Sequence, residues 1–337
     1  VMEQMAEYGE VIGIYNIDYR GVVRKNGVTY HFPKPSRWHL FFPLAFNRFV
    51  KSLAPDVVIV HGIIFPWQVI MLRLQLGAHV KIIAQHHAER PLRDIRQYFQ
   101  RWADRYIKAY LFASYDLGQQ WVERKQIHDS KKIKVIMGTS SPFYPIDKHE
   151  ARSVTQAEGE KIFLWVGRLD SNKDPLVVVK AFANFIETHP EARLYMIYQT
   201  FQLLEALKLL ILDKGVSNEI HLVGKVENPA LQYWYNSADF IISSSHYEGS
   251  GIAVCEAMSC GCVPVLTDIP SFRMMTAEGR IGFLYEAGND MALLAALQKT
   301  DSIDLVTEKK KVLDQFNKEL SFEANARKIM EVIQNIE

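Results

Sequence analysis

DFIISSSHYEGSGIAVCEAMSCG, Asp239 to Gly261, opens with an apolar run of strand length, turns through two glycines and continues as an apolar helix. The run is continuously rather than alternately apolar, which predicts a strand buried on both faces, as in a parallel sheet. Ser250 is a suitable N-cap for a helix from about Gly251 to Cys260, and the N–H groups of Gly251 and Ile252 are left without intrahelical partners. Gly249 and Gly251 allow a ligand to approach the backbone closely, and the helix dipole favours an anion there. Glu248 precedes the helix and Glu256 lies inside it, eight positions on, or about 2.2 helical turns. That spacing is too long for one shared proton-transfer centre. It suits two grips on separate hydroxyls of one long ligand.

The same unit repeats outward along the chain. EVIGIYN, DVVIVHG, VKIIAQHH, AYLFAS, KIKVIMG, IFLWVG, ARLYMIY and EIHLVG are further apolar runs of strand length. Amphipathic segments between them, among them Pro175 to Glu187 and Phe201 to Lys214, read as helices. Strand and helix in alternation predict an α/β architecture with parallel sheets. The polar, aperiodic stretch from Thr139 to Lys161 reads as an interdomain linker. Two doubly wound domains follow, at 1–145 and 146–320, with ligands expected at the carboxyl ends of the strands. Residues 321–337 read as a C-terminal helix that packs back toward the first domain. There is no internal repeat and no low-complexity tract.

With 337 residues, 48% of them hydrophobic, the chain has the composition of two folded domains rather than of a disordered segment. The net charge of +1 carries no nucleic-acid signature. The charge is unevenly spread, however. Residues 1–147 hold 20 Lys and Arg against 12 Asp and Glu, leaving 19 against 26 of the chain's 39 and 38 for the rest. Either the first half is suited to an anionic partner, a membrane surface or a phosphate-bearing substrate, or the asymmetry is ordinary scatter of surface charge. Cys255, Cys260 and Cys262 have neither a disulfide-framework nor a zinc spacing, and read as buried thiols in a reduced compartment. No signal peptide and no apolar run of membrane-spanning length is apparent, so the expected location is cytoplasmic, at most peripheral at the inner membrane face.

Two more stretches carry chemistry. In FLWVGRLDSNKDP a strand ends at Val166, Gly167 lets the chain turn, and Arg168 and Lys173 precede a helix opening at Pro175. Two cations beside a helix start can cradle a diphosphate, or can simply pair with Asp170 and Asp174. In KIIAQHHAERP, His86 and His87 end a strand ahead of Glu89 and Arg90, and His61 ends the strand before. A strand-end histidine can orient a ligand or exchange a proton near neutral pH.

VGRLDSNKD, HLVGKV and NSADFIISSSHYEGSGIAVCEAMSCGCVPVLTD, in that order, resemble the retaining, family-four type of nucleotide-sugar glycosyltransferase (glycosyl transferases group 1). The resemblance is strong from Ile162 to Ala287 and weaker but consistent over DVVIVHG and KIIAQHHAERP. It implies a GT-B fold, two Rossmann-like domains facing a cleft. It also implies a metal-independent transfer of a sugar from a UDP- or GDP-linked donor to a glycan or lipid-linked acceptor in cell-surface polysaccharide synthesis. The donor is a co-substrate and no other cofactor is implied. Arg168 and Lys173 would bind the donor diphosphate as a leaving group, next to Gly167. Glu248 would contact the donor sugar, and backbone N–H groups from Gly249 through Ser250, Gly251 and Ile252 would cap sugar and phosphate. Glu256 would hold the ribose hydroxyls, Val223 and Val226 would border the nucleobase, and His87 would lie by the sugar. His61, His86 and Arg90 are acceptor-side candidates.

Three departures from the family pattern stand out. Ser250 replaces a frequent aromatic residue, and IYQTF, Ile197 to Phe201, replaces a glycine-bearing turn. VMEQMAEYG at the start resembles the end of the family's first helix, so the first strand and its glycine-rich loop are expected to be missing. A catalytically silent module that binds nucleotide or glycan is the alternative that this departure keeps open. A dinucleotide oxidoreductase is disfavoured, because no G-x-G-x-x-G follows a strand.

On the acceptor side, YHFPKPSRWHLFFPLAFNRF, Tyr30 to Phe49, interleaves aromatics with cations. It reads either as a peripheral membrane contact or as a loop and helix packing Leu44, Phe46 and Phe49 under the sheet. A long helix from Arg90 to Tyr110, carrying Arg93, Arg96, Arg101 and Arg105, is a second basic candidate for the acceptor cleft.

Overall fold

The computed structural model describes residues 1–33 and 43–336. The chain forms two compact units, Val1–Gly138 with Phe322–Glu337, and Thr139–Ser321.

The first unit runs α1 (Met2–Met5), β1 (Val11–Ile14), β2 (Gly21–Lys25), β3 (Val28–Phe32), α2 (Leu44–Ser52), β4 (Val57–His61), α3 (Pro66–Gln75), β5 (Lys81–Gln85), α4 (Arg96–Ala103), β6 (Ile107–Phe112), α5 (Tyr115–Glu123) and β7 (Ile133–Val135). Strands β4-β5-β6-β7 form a parallel sheet in sequence order. Its central strands are sealed: Ile82, Ile83, Ala109 and Leu111 are 0% exposed. A second sheet has the order β1-β3-β2, with β1 parallel and β2 antiparallel to β3.

The second unit runs α6 (Lys148–Thr155), β8 (Lys161–Gly167), α7 (Pro175–Phe185), β9 (Ala192–Tyr198), α8 (Leu204–Asp213), β10 (Ile220–Gly224), α9 (Asn228–Ser237), β11 (Phe240–Ser243), α10 (Ile252–Ser259), β12 (Val263–Thr267), α11 (Pro270–Met275), β13 (Phe283–Tyr285), α12 (Asp290–Gln298) and α13 (Leu305–Gln315). All six strands are parallel, in the order β10-β9-β8-β11-β12-β13. Counting from β8, that order is 3-2-1-4-5-6, the doubly wound arrangement whose strand order reverses between the first and fourth strands. The last helix, α14 (Phe322–Asn335), belongs to the first unit. Ile329 joins the core of the four-stranded sheet with Val332 and Ile333 beside it, and Lys81 Nζ donates to the Ile333 and Ile336 carbonyls at the helix end.

Several expectations need correction. Thr139 to Lys161 is not a linker. It contains α6, and Phe143, Ala151 and Ala157 are buried in the second unit. Asp147 caps α6 by accepting from the His149 and Glu150 N–H groups. Asp239, 1% exposed, accepts from Ile162 N–H (3.1 Å) and pairs with Lys148 (2.6 Å) and Lys309 (3.2 Å). Helix α6 packs on α9 with Ala151 buried, and its Lys148 pairs with Asp239 just ahead of β11. The helix expected from Arg90 to Tyr110 is only α4, because the buried run from Ile107 is taken by β6. Of the stretch from Tyr30 to Phe49, residues 34–42 lie outside the described residues. In α2 the buried side chains are Asn47 and Val50, while Leu44 is 42% exposed, so Leu44 does not pack under the sheet.

Candidate functional site

In the second unit the loop after β8 and the loop after β11 leave adjacent parallel strands at the reversal point of the sheet. Residues 168–174 and 244–251 therefore meet for topological reasons. They are sewn together: the His246 N–H donates to Asn172 O (2.8 Å), Asn172 Nδ2 to Tyr247 O (3.0 Å), and Ser244 Oγ to Lys173 O (2.5 Å). His246 Nε2 donates to Asp174 Oδ2 at 3.0 Å.

This stitching brings Lys173 onto Glu248. Lys173 Nζ donates to Glu248 Oε1, which also accepts from Ser245 Oγ at 2.8 Å. Ser271 Oγ holds the Glu248 carbonyl (3.0 Å). Both partners of the ion pair are largely shielded, with 20% and 14% of their side chains exposed. Arg168 is placed differently. It is 64% exposed and turns its Nε to Asp170 Oδ2, 3.2 Å away. Its loop is fixed by the Leu169 N–H donating to Thr200 Oγ1 (2.8 Å), a role for the IYQTF stretch that the sequence did not show.

The turn into α10 differs from expectation at its cap. Gly251, not Ser250, is the N-cap, and no side chain caps the helix. Gly251 has φ 55°, and a Cβ there would lie 2.7 Å from Phe272 Cε1. Glycine is thus demanded both by the backbone and by the neighbouring ring. With no side chain on the cap, the first N–H groups of α10 are left to the surroundings, beside Ile252, which is 56% exposed. Glu256, on α10, is 8% exposed and accepts from the Tyr235 phenol at 2.8 Å. Burial raises its pKa and the phenol opposes the rise. Val223 and Val226 pack on the core cluster that holds Tyr235, Ala257 and Cys260. Gly167 ends β8, where a Cβ would meet the Trp165 ring at 3.0 Å.

The first unit assembles its own group at the ends of β4 and β5. His61 Nδ1 and His87 Nε2 are 3.0 Å apart, one donating to the other, with their rings stacked at 5.2 Å. Glu89 ties the two loops: its Oε1 accepts from the Ile63 N–H (3.2 Å) and its Oε2 from the His87 N–H (2.5 Å). His86 points inward at 3% exposure and bonds the Glu89 carbonyl through Nε2 (2.7 Å). Burial, then the neighbouring His87, lowers the His61 pKa; burial also lowers that of His86. Arg90 is exposed. Glu89, His246 and Tyr235 are the site residues that motif reading missed. Glu89 lies two residues beyond His87, and that proximity was the available signal.

Two Rossmann-like units of parallel strands, the second with the doubly wound order, define a GT-B protein. Residues 147–319 match the family described as "Glycosyl transferases group 1", and residues 5–137 match "Glycosyltransferase Family 4". The chain belongs to the glycosyl transferases group 1. Among curated relatives, the poly(glycerol-phosphate) alpha-glucosyltransferase of Bacillus subtilis is 31% identical over 175 residues, covering 50% of this chain and 25% of that protein. The GDP-mannose:cellobiosyl-diphosphopolyprenol alpha-mannosyltransferase of Xanthomonas campestris is 25% identical over 276 residues, covering 78% and 70%. The matched stretches thus span from a quarter to about seven-tenths of these relatives. Among solved structures, a glycosyltransferase from Rickettsia africae superposes with a TM-score of 0.78 at 17% identity, covering 98% of this chain and 94% of its own. The Anabaena HepE structure in complex with UDP gives 0.74 at 16% identity, covering 92% and 86%.

Proposed function

We propose that this chain is a retaining, metal-independent glycosyltransferase that moves a sugar from a UDP- or GDP-linked donor to a glycan or lipid-linked acceptor. The observation that carries the proposal is Lys173, held against the Glu248–Gly251 turn and the open start of α10 at the reversal point of the sheet. Breaking the bond between the sugar's anomeric carbon and the diphosphate puts negative charge on the leaving oxygen. A shielded ammonium and a helix N-terminus stabilise that charge, and Arg168 needs only to leave Asp170 to add a second cation. Glu248, freed from Lys173 as the phosphate takes its place, is an acceptor for sugar hydroxyls. The leaving phosphate oxygen takes the proton of the attacking hydroxyl on the same face of the sugar, so no protein nucleophile is used.

Relatives named for diphosphopolyprenol and poly(glycerol-phosphate) support an anionic acceptor, lipid-linked in the first case; surface polysaccharide synthesis at the cytoplasmic membrane face is the setting proposed with it. A peripheral contact with an anionic bilayer belongs to the same reading. Ile95, Tyr98 and Trp102 are 70%, 62% and 41% exposed on successive turns about α4, with Arg101 over the Tyr98 ring at 5.5 Å. No helix among the described residues is long and apolar enough to cross a membrane.

Thermal stabilisation by UDP, GDP and ADP and their sugars tests the proposal, with Arg168→Ala and Glu256→Ala alongside. Stabilisation by one nucleotide family, weakened in both variants, is expected. No stabilisation by any of them would refute the function. Undiminished stabilisation in both variants would refute the site.

A further inference from the structure

Glu256 stands in a tight apolar setting for a group meant to receive hydroxyls. Its helix packs with α9, and Tyr235 on α9 is 0% exposed. The Tyr235 ring lies 5.9 Å from the Phe143 ring, and its carbonyl accepts from Cys262 Sγ at 2.8 Å, so neither backbone nor ring is free to move. The phenol donates to Glu256 Oε2 at 2.8 Å; Oε1 has no hydrogen-bond partner among the described residues.

We propose that Tyr235 is the positioning residue of Glu256: its phenol fastens one carboxylate oxygen so that the other is presented to the two ribose hydroxyls of the donor. The proposal rests on the reading of Glu256 as the ribose grip. A carboxylate on a flexible side chain samples several rotamers, and one bond from a locked phenol selects among them before ligand arrives. The same bond stabilises the ionised form, which is the form able to accept from two hydroxyls. The titratable groups facing Glu256 are Tyr235, Cys255 and Cys260. Burial holds the phenol well above its usual pKa and pushes both thiols up to about 12. Of this set, Glu256 is therefore the group whose charge a fall in pH removes, and burial raises the pH at which that happens.

The test is calorimetric affinity across pH 5.5–8.5 for the nucleotide sugar selected by thermal stabilisation from UDP-glucose, UDP-N-acetylglucosamine, GDP-mannose and ADP-glucose. A nucleotide sugar is used because it lacks the terminal phosphate ionisation of a free diphosphate. Tyr235→Phe keeps the ring and removes the hydroxyl. It is expected to weaken binding about tenfold, with the low-pH loss beginning at a higher pH than in the unsubstituted protein. In a Glu256→Ala background the same change should add nothing, since a residue acting only through Glu256 has nothing left to act on. Glu256→Gln retains an oxygen for the phenol and cannot ionise, so its low-pH limb should vanish; this variant decides the matter if Tyr235→Phe does not fold. The proposal is overturned if Tyr235→Phe binds as tightly as the unsubstituted protein at every pH, if its loss persists in the Glu256→Ala background, or if the limb survives in Glu256→Gln. Failure of all four nucleotide sugars to bind the unsubstituted protein would instead overturn the ribose reading and this inference with it.

Discussion

The two units place opposite chemistry at the carboxyl ends of their parallel strands. In the second, Lys173, Glu248, Arg168, Asp170 and Asp174 crowd around β8 and β11, and the two loops are joined by main-chain and side-chain hydrogen bonds. In the first, β4 and β5 end in the stacked His61–His87 pair, with Glu89 occupied in holding backbone N–H groups. On the function proposed above, a donor diphosphate would meet Lys173 there, with Arg168 as a second cation once it leaves Asp170. On the same proposal, an acceptor hydroxyl, which is neutral, would meet groups that exchange hydrogen bonds without a permanent charge, and burial lowers the His61 pKa. The comparison teaches that one fold, used twice, can set different chemistry at its strand ends by changing the loops.

The sharpest way to break the comparison is to remove one group from each side. Lys173→Ala should lower the transfer rate about 100- to 1000-fold, measured with the donor saturating. His87→Ala should cost less, about tenfold to 100-fold, and an equal loss would end the division of labour drawn here. The next effect is on folding. Gly251→Val forces a branched side chain into φ 55° against Phe272 and should cost about 3 kcal/mol. Denaturant unfolding should show the loss in the second unit's transition and leave the first unit's midpoint unmoved.

Smaller again is Glu89→Gln. It keeps the shape but loses a charge-assisted acceptor for two N–H groups, at about 1–2 kcal/mol, and should loosen exchange protection at Ile63 and His87 while sparing β11. The smallest effect is a pH dependence. A histidine whose folded pKa is lowered costs nothing above its unfolded pKa of 6.5, where it is neutral in both states. As pH falls below 6.5 the unfolded chain takes up the proton first, so stability is lost. For buried His86 that loss grows as pH falls from 6.5 toward its lowered folded pKa. A fall in the first unit's melting temperature below pH 6.5, flattened in His86→Gln, is the expected record. A rise would contradict it.

What the sequence made legible was local. Strand, turn and helix stand next to one another in DFIISSSHYEGSGIAVCEAM, so β11, α10 and the two glutamates could be placed from a single stretch. Contacts across long separations could not: Lys173 and Glu248 are brought together by a strand order, which no pattern within either loop contains. Strand β12 was missed because it carries Pro264 in its interior. Helix α6 was missed because the one residue it buries is Ala151, while Lys148 and Arg152 pair with Asp239. The β2–β3 hairpin was readable and was passed over. Asn26-Gly27 between two apolar runs is a strong hairpin signal, and both residues have positive φ. Gly251 displaced Ser250 as the cap because the chain must enter α10 in the left-handed region beneath Phe272, a demand that comes from packing.

The three thiols have a use unrelated to sugar transfer. Cys255, Cys260 and Cys262 are all in the second unit, buried and unpaired, and the sequence has no other cysteine. An alkylating reagent can reach them only when that unit opens, and burial suppresses the thiolate that would react. The rate at which an iodoacetamide label appears is therefore a clock for the opening of one half of the molecule. The other half carries no thiol, so in a single intact chain the label times the second unit alone.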